Sequence, residues 1–169
     1  MKTFSIEANS FVIKSSKGKK YKSLLEDGIT YHIPIFQRTY AWTGKEIAKL
    51  LADLFLSFWD LDGKDEPEPM FIGTMQLSEL KDEQGKKSFY DVVDGQQRLT
   101  TLLILLKYFN LMHPGCLEPY GITLDWLRTS VSNGIQQKQL EEMLNVATLE
   151  DIDQNHINPF IRNLSRTFP

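Results

Sequence analysis

The sequence has little cysteine and no long hydrophobic run. Cys116 is its single cysteine among 169 residues, which excludes an internal disulfide framework and favours a reducing compartment. The longest apolar run, Leu102 to Leu106, is far too short to span a bilayer. No apolar segment typical of a signal peptide follows Met1. We therefore expect a soluble, cytoplasmic protein that does not contact a membrane.

The chain also lacks a large net charge of either sign. The net charge of −3 argues against a wholly basic surface, so any contact with nucleic acid must come from a local patch. One basic cluster lies near the N-terminus and contains Lys14, Lys17, Lys19, Lys20 and Lys22. A solvated loop is the simpler explanation of this cluster. The functional alternative is that Lys17, Lys19 and Lys20 contact the phosphate backbone of DNA.

Apolar periodicity predicts an α+β fold. Hydrophobic residues make up 41% of the chain, which is enough to form a core. Strands are expected over 4–13, over 29–35 and, as an antiparallel hairpin, over 71–93. Helices are expected over 21–27, 43–59, 96–112, 124–131, 135–146 and 159–166. The mixed part ends near residue 113, and the remainder is expected to be a helical extension.

The most informative stretch runs from Asp94 to Arg98 and has the sequence DGQQR. It lies between an apolar strand (89–93) and an apolar helix (99–109). Free N–H groups in a first helical turn, a glycine that permits close approach and an arginine fork together indicate an anion site. The simpler explanation is that Asp94 caps the helix and Gly95 turns the chain. Capping does not account for two glutamines and an arginine at the start of so apolar a helix.

A second polar and aromatic cluster runs from Ile33 to Trp42 and has the sequence IPIFQRTYAW. Arg38 is suited to pairing with phosphate, and if it is buried it needs a partner such as Asp94. Tyr40 and Trp42 are suited either to stacking on a base or to packing against the neighbouring helix. For the Gln-Arg pair in this stretch, a structural and a functional role are about equally balanced.

IPIFQRTYAW, FIGTMQLSE and VVDGQQRLTTL, in this order, resemble the N-terminal domain of GmrSD-type restriction endonucleases over roughly residues 5–112. The resemblance implies a ParB/sulfiredoxin-like fold over 1–113, with a small mixed sheet and packed helices. A helical extension over 114–169 follows, and we expect it to continue in a longer parent protein. The resemblance also implies binding and hydrolysis of a nucleoside triphosphate, tied to recognition or cleavage of modified DNA in phage defence.

These implications give each residue of the signature an expected role. The triphosphate (GTP, UTP or ATP) lies with Mg²⁺ against the helix N-terminus. Asp94 holds Mg²⁺ or orients an arginine, Gln97 or Gln96 orients the attacking water, and Arg98 neutralises phosphate charge. The residues expected to bind the nucleotide are Gln37, Arg38, Tyr40, Gly95 and Gln96.

Full-length relatives usually carry a separate HNH-type nuclease domain. The three histidines of this chain, His32, His113 and His156, do not form an HNH-type arrangement, so we do not expect the chain to cut DNA alone. The expected partners are a nucleoside triphosphate, modified DNA and an HNH-type nuclease domain or subunit. The alternative is a non-catalytic module that binds DNA or docks a nuclease.

Overall fold

The computed structural model describes residues 11–12, 22–25, 28–59, 72–81, 88–153 and 156–166. Within them, a four-stranded mixed sheet is accompanied by four α-helices, which confirms the α+β prediction. A separate parallel pair joins β1 (Phe11–Val12) to β2 (Lys22–Ser23). The lysines predicted to contact DNA, Lys17, Lys19 and Lys20, lie outside the described residues.

The main sheet contains β3 (Thr30–Ile33), β4 (Gln76–Lys81), β5 (Ser88–Asp94) and β6 (Leu127–Thr129), in the order β4-β5-β3-β6. β4 and β5 are antiparallel, which confirms the predicted hairpin. β3 is parallel to both β5 and β6. The carboxyl ends of these three strands therefore lie at one edge, where the segments that follow them meet.

The helices are α1 (Gly44–Trp59), α2 (Gln96–Met112), α3 (Ile135–Asn145) and α4 (Pro159–Arg166), each in a range predicted to be helical. α2 is buried along most of its length because the sheet, α3 and α4 contribute to one core cluster around it and α1 packs on its other side. None of the described helices has the length and apolarity needed to span a bilayer.

Two helix predictions are wrong. Residues 124–131 contain β6, in which Leu127 and Thr129 are buried and Arg128 is exposed. Pairing with β3 decides the conformation of this short segment, and that tertiary contact outweighs its local preference. In the helix predicted over 21–27, Lys22–Ser23 form β2 instead.

Residues on both sides of residue 113 share one hydrophobic core. Leu103 of α2 lies in the same cluster as Leu140 and Met143 of α3 and Phe160 of α4. β6 likewise belongs to the sheet that holds β3 and β5. The division into a domain over 1–113 and an extension over 114–169 stays a prediction.

Candidate functional site

The DGQQR stretch lies at the junction between β5 and α2. Asp94 is the last residue of β5, and Gly95 occupies the N-cap position with φ +97°. Among the described residues no side chain caps α2, so the capping explanation for Asp94 is wrong. The amide of Leu99 donates to the Gly95 carbonyl at 3.1 Å. The three preceding amides, of residues 96–98, therefore have no acceptor within the helix, and the positive end of the helix dipole lies there.

Two glycines allow the segment before β4 to lie close against this junction. A Cβ at Gly95 would lie 2.6 Å from Cγ of Met75, and a Cβ at Gly73 would lie 2.9 Å from Cζ of Arg98. Arg98 Nη1 donates a hydrogen bond to the Thr74 carbonyl. Since a guanidinium has five N–H donors, this bond leaves others for a ligand. The absence of a side chain at Gly95 therefore makes room for the Met75 side chain.

Gln97 holds the segment that precedes α1. Its Oε1 accepts hydrogen bonds from the amides of Ala41 (2.9 Å) and Trp42 (3.3 Å), and its Nε2 donates to the Thr39 carbonyl (3.1 Å). Gln97 is only 6% exposed. Both ends of its amide are therefore committed to the backbone of residues 39–42.

Gln37 completes the connection between the two sequence clusters. Its Oε1 accepts a hydrogen bond from Gln96 Nε2 at 3.0 Å. Its own Nε2 donates to the carbonyls of Val92 (3.2 Å) and Val93 (2.8 Å), near the end of β5. The clusters that the sequence separates thus form one structure, which we call the junction site and define as residues 34–42 and 94–98.

Tyr40 belongs to the core. Its ring stacks on Phe160 with a centroid distance of 5.3 Å and an interplanar angle of 12°. The Thr101 hydroxyl donates to the Gln97 carbonyl at 2.8 Å, so the Tyr40 hydroxyl must donate to Thr101 Oγ1, at 2.9 Å. Burial raises the pKa of Tyr40 to about 12. In the structure the Tyr40 ring therefore packs against a helix, which was one of its two expected roles; the other was stacking on a base.

Arg38 and Asp94 are both exposed at the junction site. Within the described residues they form no ion pair with each other or with any other group. Those residues also contain no group of three acidic, histidine or cysteine side chains able to hold a metal ion. Mg²⁺ needs only one or two carboxylates when phosphate oxygens complete its shell. A single exposed carboxylate at Asp94 therefore fits a magnesium ion that arrives with a nucleotide.

Two open cavities among the described residues lie elsewhere. One, of about 580 Å³, is lined by α3 and by Ile161 of α4. The other, of about 380 Å³, lies beside Trp126 and Gly28. No residue of the junction site lines either cavity. The junction site is exposed at Arg38 and Asp94, whereas Gln96 and Gln97 are buried within it.

The sequence analysis missed a second polar group, on the sheet face opposite the core. His32 of β3 contacts Asp91 of β5 through Nδ1 at 2.8 Å and Ser130 through Nε2 at 2.7 Å. These partners lie 59 and 98 residues from His32 along the chain. No spacing in the sequence indicates their contact, because it arises only from strand register.

Comparison with known families gives one match over most of the chain. The family model described as the N-terminal domain of GmrSD restriction endonuclease matches residues 21–168. The match includes the junction site and also α3 and α4. No curated protein matches the chain.

Proposed function

Because the chain belongs to the family of GmrSD restriction endonuclease N-terminal domains, and so is a component of a restriction endonuclease system, we propose that its junction site binds and hydrolyses a nucleoside triphosphate. Turnover is coupled to recognition or cleavage of modified DNA by an HNH-type nuclease domain or subunit. The observation that carries this proposal is the N-terminus of α2, which no described side chain caps and which both sequence clusters surround through Gln37, Gln96 and Gln97.

Phosphate binding follows from the donors at this terminus. The amides of residues 96–98 have no intrahelical acceptor, and anions bind favourably at such a terminus. Arg98 keeps N–H donors beyond its bond to Thr74. Arg38 is exposed on the adjoining loop and adds a second cation. Because charge on the phosphate oxygens must be neutralised during phosphoryl transfer, these donors favour the reaction as well as binding.

The hydrogen bonds of the two glutamines favour different roles for them. Gln97 contacts three backbone groups of residues 39–42, so we assign it to positioning that loop. Gln96 donates to Gln37, and we assign its amide oxygen to orienting the attacking water. Tyr40 supports the loop from the core. Asp94 would hold Mg²⁺, which when bound neutralises phosphate charge.

The test is calorimetry of the 169-residue chain with GTP, UTP or ATP in MgCl₂, together with measurement of released phosphate. We expect Asp94→Ala and Arg38→Ala to lower turnover by on the order of 100-fold, comparable to removal of an oxyanion donor. Asp53→Ala and Lys49→Ala, which remove exposed charges from α1, are the matched controls and should leave turnover unchanged.

Two results would contradict this proposal. One is unchanged turnover in Asp94→Ala and Arg38→Ala. The other is a lack of heat from all three nucleotides while the chain still binds modified DNA with an affinity that falls steeply with salt. The second result would favour the alternative of a non-catalytic DNA-binding module.

A further inference from the structure

Three side chains, on two neighbouring strands and directly after a third, form a continuous hydrogen-bonded relay. His32 Nδ1 lies 2.8 Å from Asp91 Oδ1, and His32 Nε2 lies 2.7 Å from Ser130 Oγ. His32 and Asp91 are register partners in β3 and β5. Ser130 directly follows β6, and its amide donates to the Ile33 carbonyl at 2.9 Å. The sheet itself therefore fixes the order serine, histidine, aspartate.

The partners of the ring decide where its proton lies when His32 is neutral. A carboxylate only accepts hydrogen bonds, so Nδ1 must carry the proton that Asp91 accepts. Nε2 is then the acceptor, and the Ser130 hydroxyl donates to it. This is the arrangement in which an imidazole can remove the hydroxyl proton of a serine during nucleophilic attack.

The relay is open to a substrate. The side chains of His32 and Asp91 are 33% and 26% exposed. Phe89 lies two residues before Asp91 on β5, hence on the same face, and its side chain is 39% exposed. It offers an apolar surface beside the relay, which suits a short hydrocarbon chain.

A cation lies on the other side of His32. Arg128 of β6 is the register partner of His32 and is exposed, whereas its neighbours Leu127 and Thr129 are buried. The backbone amides of Ser130 and Val131 are already used, because Ser130 donates to Ile33 and Val131 donates to Thr129 Oγ1 at 3.2 Å. Arg128, on the same face as His32, offers a positive charge to an oxyanion.

The turn after Ser130 has an uncommon backbone. Ser132 and Asn133 have φ values of +55° and +51°, and Gly134 follows at +83°. Non-glycine residues held in this left-handed region are strained, and such strain concentrates at functional sites.

We propose that Ser130, His32 and Asp91 form a hydrolytic site for carboxylic esters with a short apolar acyl group. Ser130 Oγ bonds to the ester carbonyl carbon while its proton passes to His32 Nε2, and Arg128 faces the negative oxygen. The carbon–oxygen bond to the alcohol then breaks, and the alcohol leaves with the proton from His32. Water then attacks the acyl-serine while its proton passes to His32 Nε2. The bond from the acyl carbon to Ser130 Oγ breaks, Oγ receives that proton from His32, and the carboxylic acid leaves. This site contains no residue of the junction site.

The test uses two serine-directed readouts on the 169-residue chain. A fluorophosphonate reagent forms a bond from Ser130 Oγ to phosphorus with loss of fluoride, and peptide mass spectrometry locates the label. Hydrolysis of 4-nitrophenyl butyrate measures turnover. We expect labelling at Ser130, its loss in Ser130→Ala, and a fall of about 100-fold or more in both rates in His32→Gln, as for loss of a general base. Asp91→Asn should slow both rates through loss of the required tautomer.

The matched control is Ser78→Ala, which removes an exposed serine that is the register partner of Asp91 on the same face. It should leave both rates unchanged. Thermal unfolding of each variant shows whether the fold is kept. Equal labelling of wild type and His32→Gln would overturn the proposal, as would labelling of Ser130 without ester hydrolysis. Hydrolysis by Ser130→Ala at the wild-type rate would also overturn it.

Discussion

The side chains of Gln37 and Gln96 are joined by a hydrogen bond of 3.0 Å, although they lie 59 residues apart in the chain. One belongs to the loop after β3 and the other to the first turn of α2. Both parallel strands, β3 and β5, end at the same edge of the sheet, so the sheet brings the glutamines together. The junction site therefore depends on this edge of the sheet and on the glutamine side chains that connect its two segments.

Gln97→Leu is expected to lower the free energy of unfolding by about 2–4 kcal/mol. The change removes three hydrogen bonds to residues 39–42, and buried groups left without a partner each cost about 1–3 kcal/mol. Urea unfolding measures the effect. Gln139→Leu is the control, since the side chain of Gln139 forms no such bonds to the described residues. Equal stability of the two variants would contradict the role of Gln97 in holding the loop.

Gly95→Ala is expected to destabilise the protein by about 2–5 kcal/mol. Part of the loss is backbone strain at φ +97°, roughly 1–2 kcal/mol. The rest is overlap of the new methyl group with Met75, about 1–3 kcal/mol. Gly44→Ala is the control, because a Cβ there meets no atom within 4 Å.

A double-mutant cycle separates the two contributions at Gly95. Met75→Ala removes the shortest contact, the one with Cγ, and leaves the strain. The double variant should therefore be more stable than the sum of the single effects predicts. Strict additivity would show that Met75 and residue 95 do not compete for the same space.

Tyr40 should make the stability decrease at alkaline pH. Burial raises its pKa to about 12 from the model-compound value of 10.0. Between these values the folded state keeps a proton that the unfolded state has lost, so the free energy of unfolding falls as pH rises. Tyr40→Phe should decrease less steeply between pH 10 and 12 than the wild type. Identical pH profiles in chemical unfolding would contradict this prediction.

Lys107 stabilises the end of α3. Its Nζ donates to the carbonyls of Leu144 (2.8 Å) and Val146 (2.7 Å). Lys107→Met leaves these acceptors unpaired, and we expect a loss of about 1–3 kcal/mol in urea unfolding. Lys138→Met, on the exposed side of α3, serves as the control and should change stability little. A similar effect of both substitutions would contradict the stabilisation of the end of α3 by Lys107.

Burial lowers the pKa of Lys107 below the ordinary lysine value of 10.5. The unfolded chain therefore binds this proton more tightly, and the contribution of Lys107 to the free energy of unfolding rises as pH approaches 10.5. Lys107→Met should lack this rise. The comparison with wild type is made below pH 10, before Tyr40 titrates.

The local sequence predicted where α1 begins, but not the full hydrogen-bonding pattern of its N-terminal cap. The sequence Thr43-Gly44-Lys45-Glu46 matches a capping box, which predicts a helix start here, and the Thr43 amide donates to Glu46 Oε2 at 2.8 Å. The Thr43 hydroxyl, however, donates to the same carboxylate oxygen at 2.6 Å. These bonds lower the pKa of Glu46. The location of the cap follows from neighbouring residues, whereas its bonding depends on rotamers that the sequence does not specify.

The sequence by itself determined the long helices, the antiparallel hairpin and the two clusters of polar residues, because all of these depend on neighbours within a few residues or one turn. Tertiary structure alone decided that Leu127–Thr129 is a strand, that Tyr40 packs on Phe160 and that Ser130 meets His32. These contacts depend on strand register and core packing between distant segments. A local pattern carries no information on either, since the same residues can satisfy their hydrogen bonds and bury their apolar surface in more than one way.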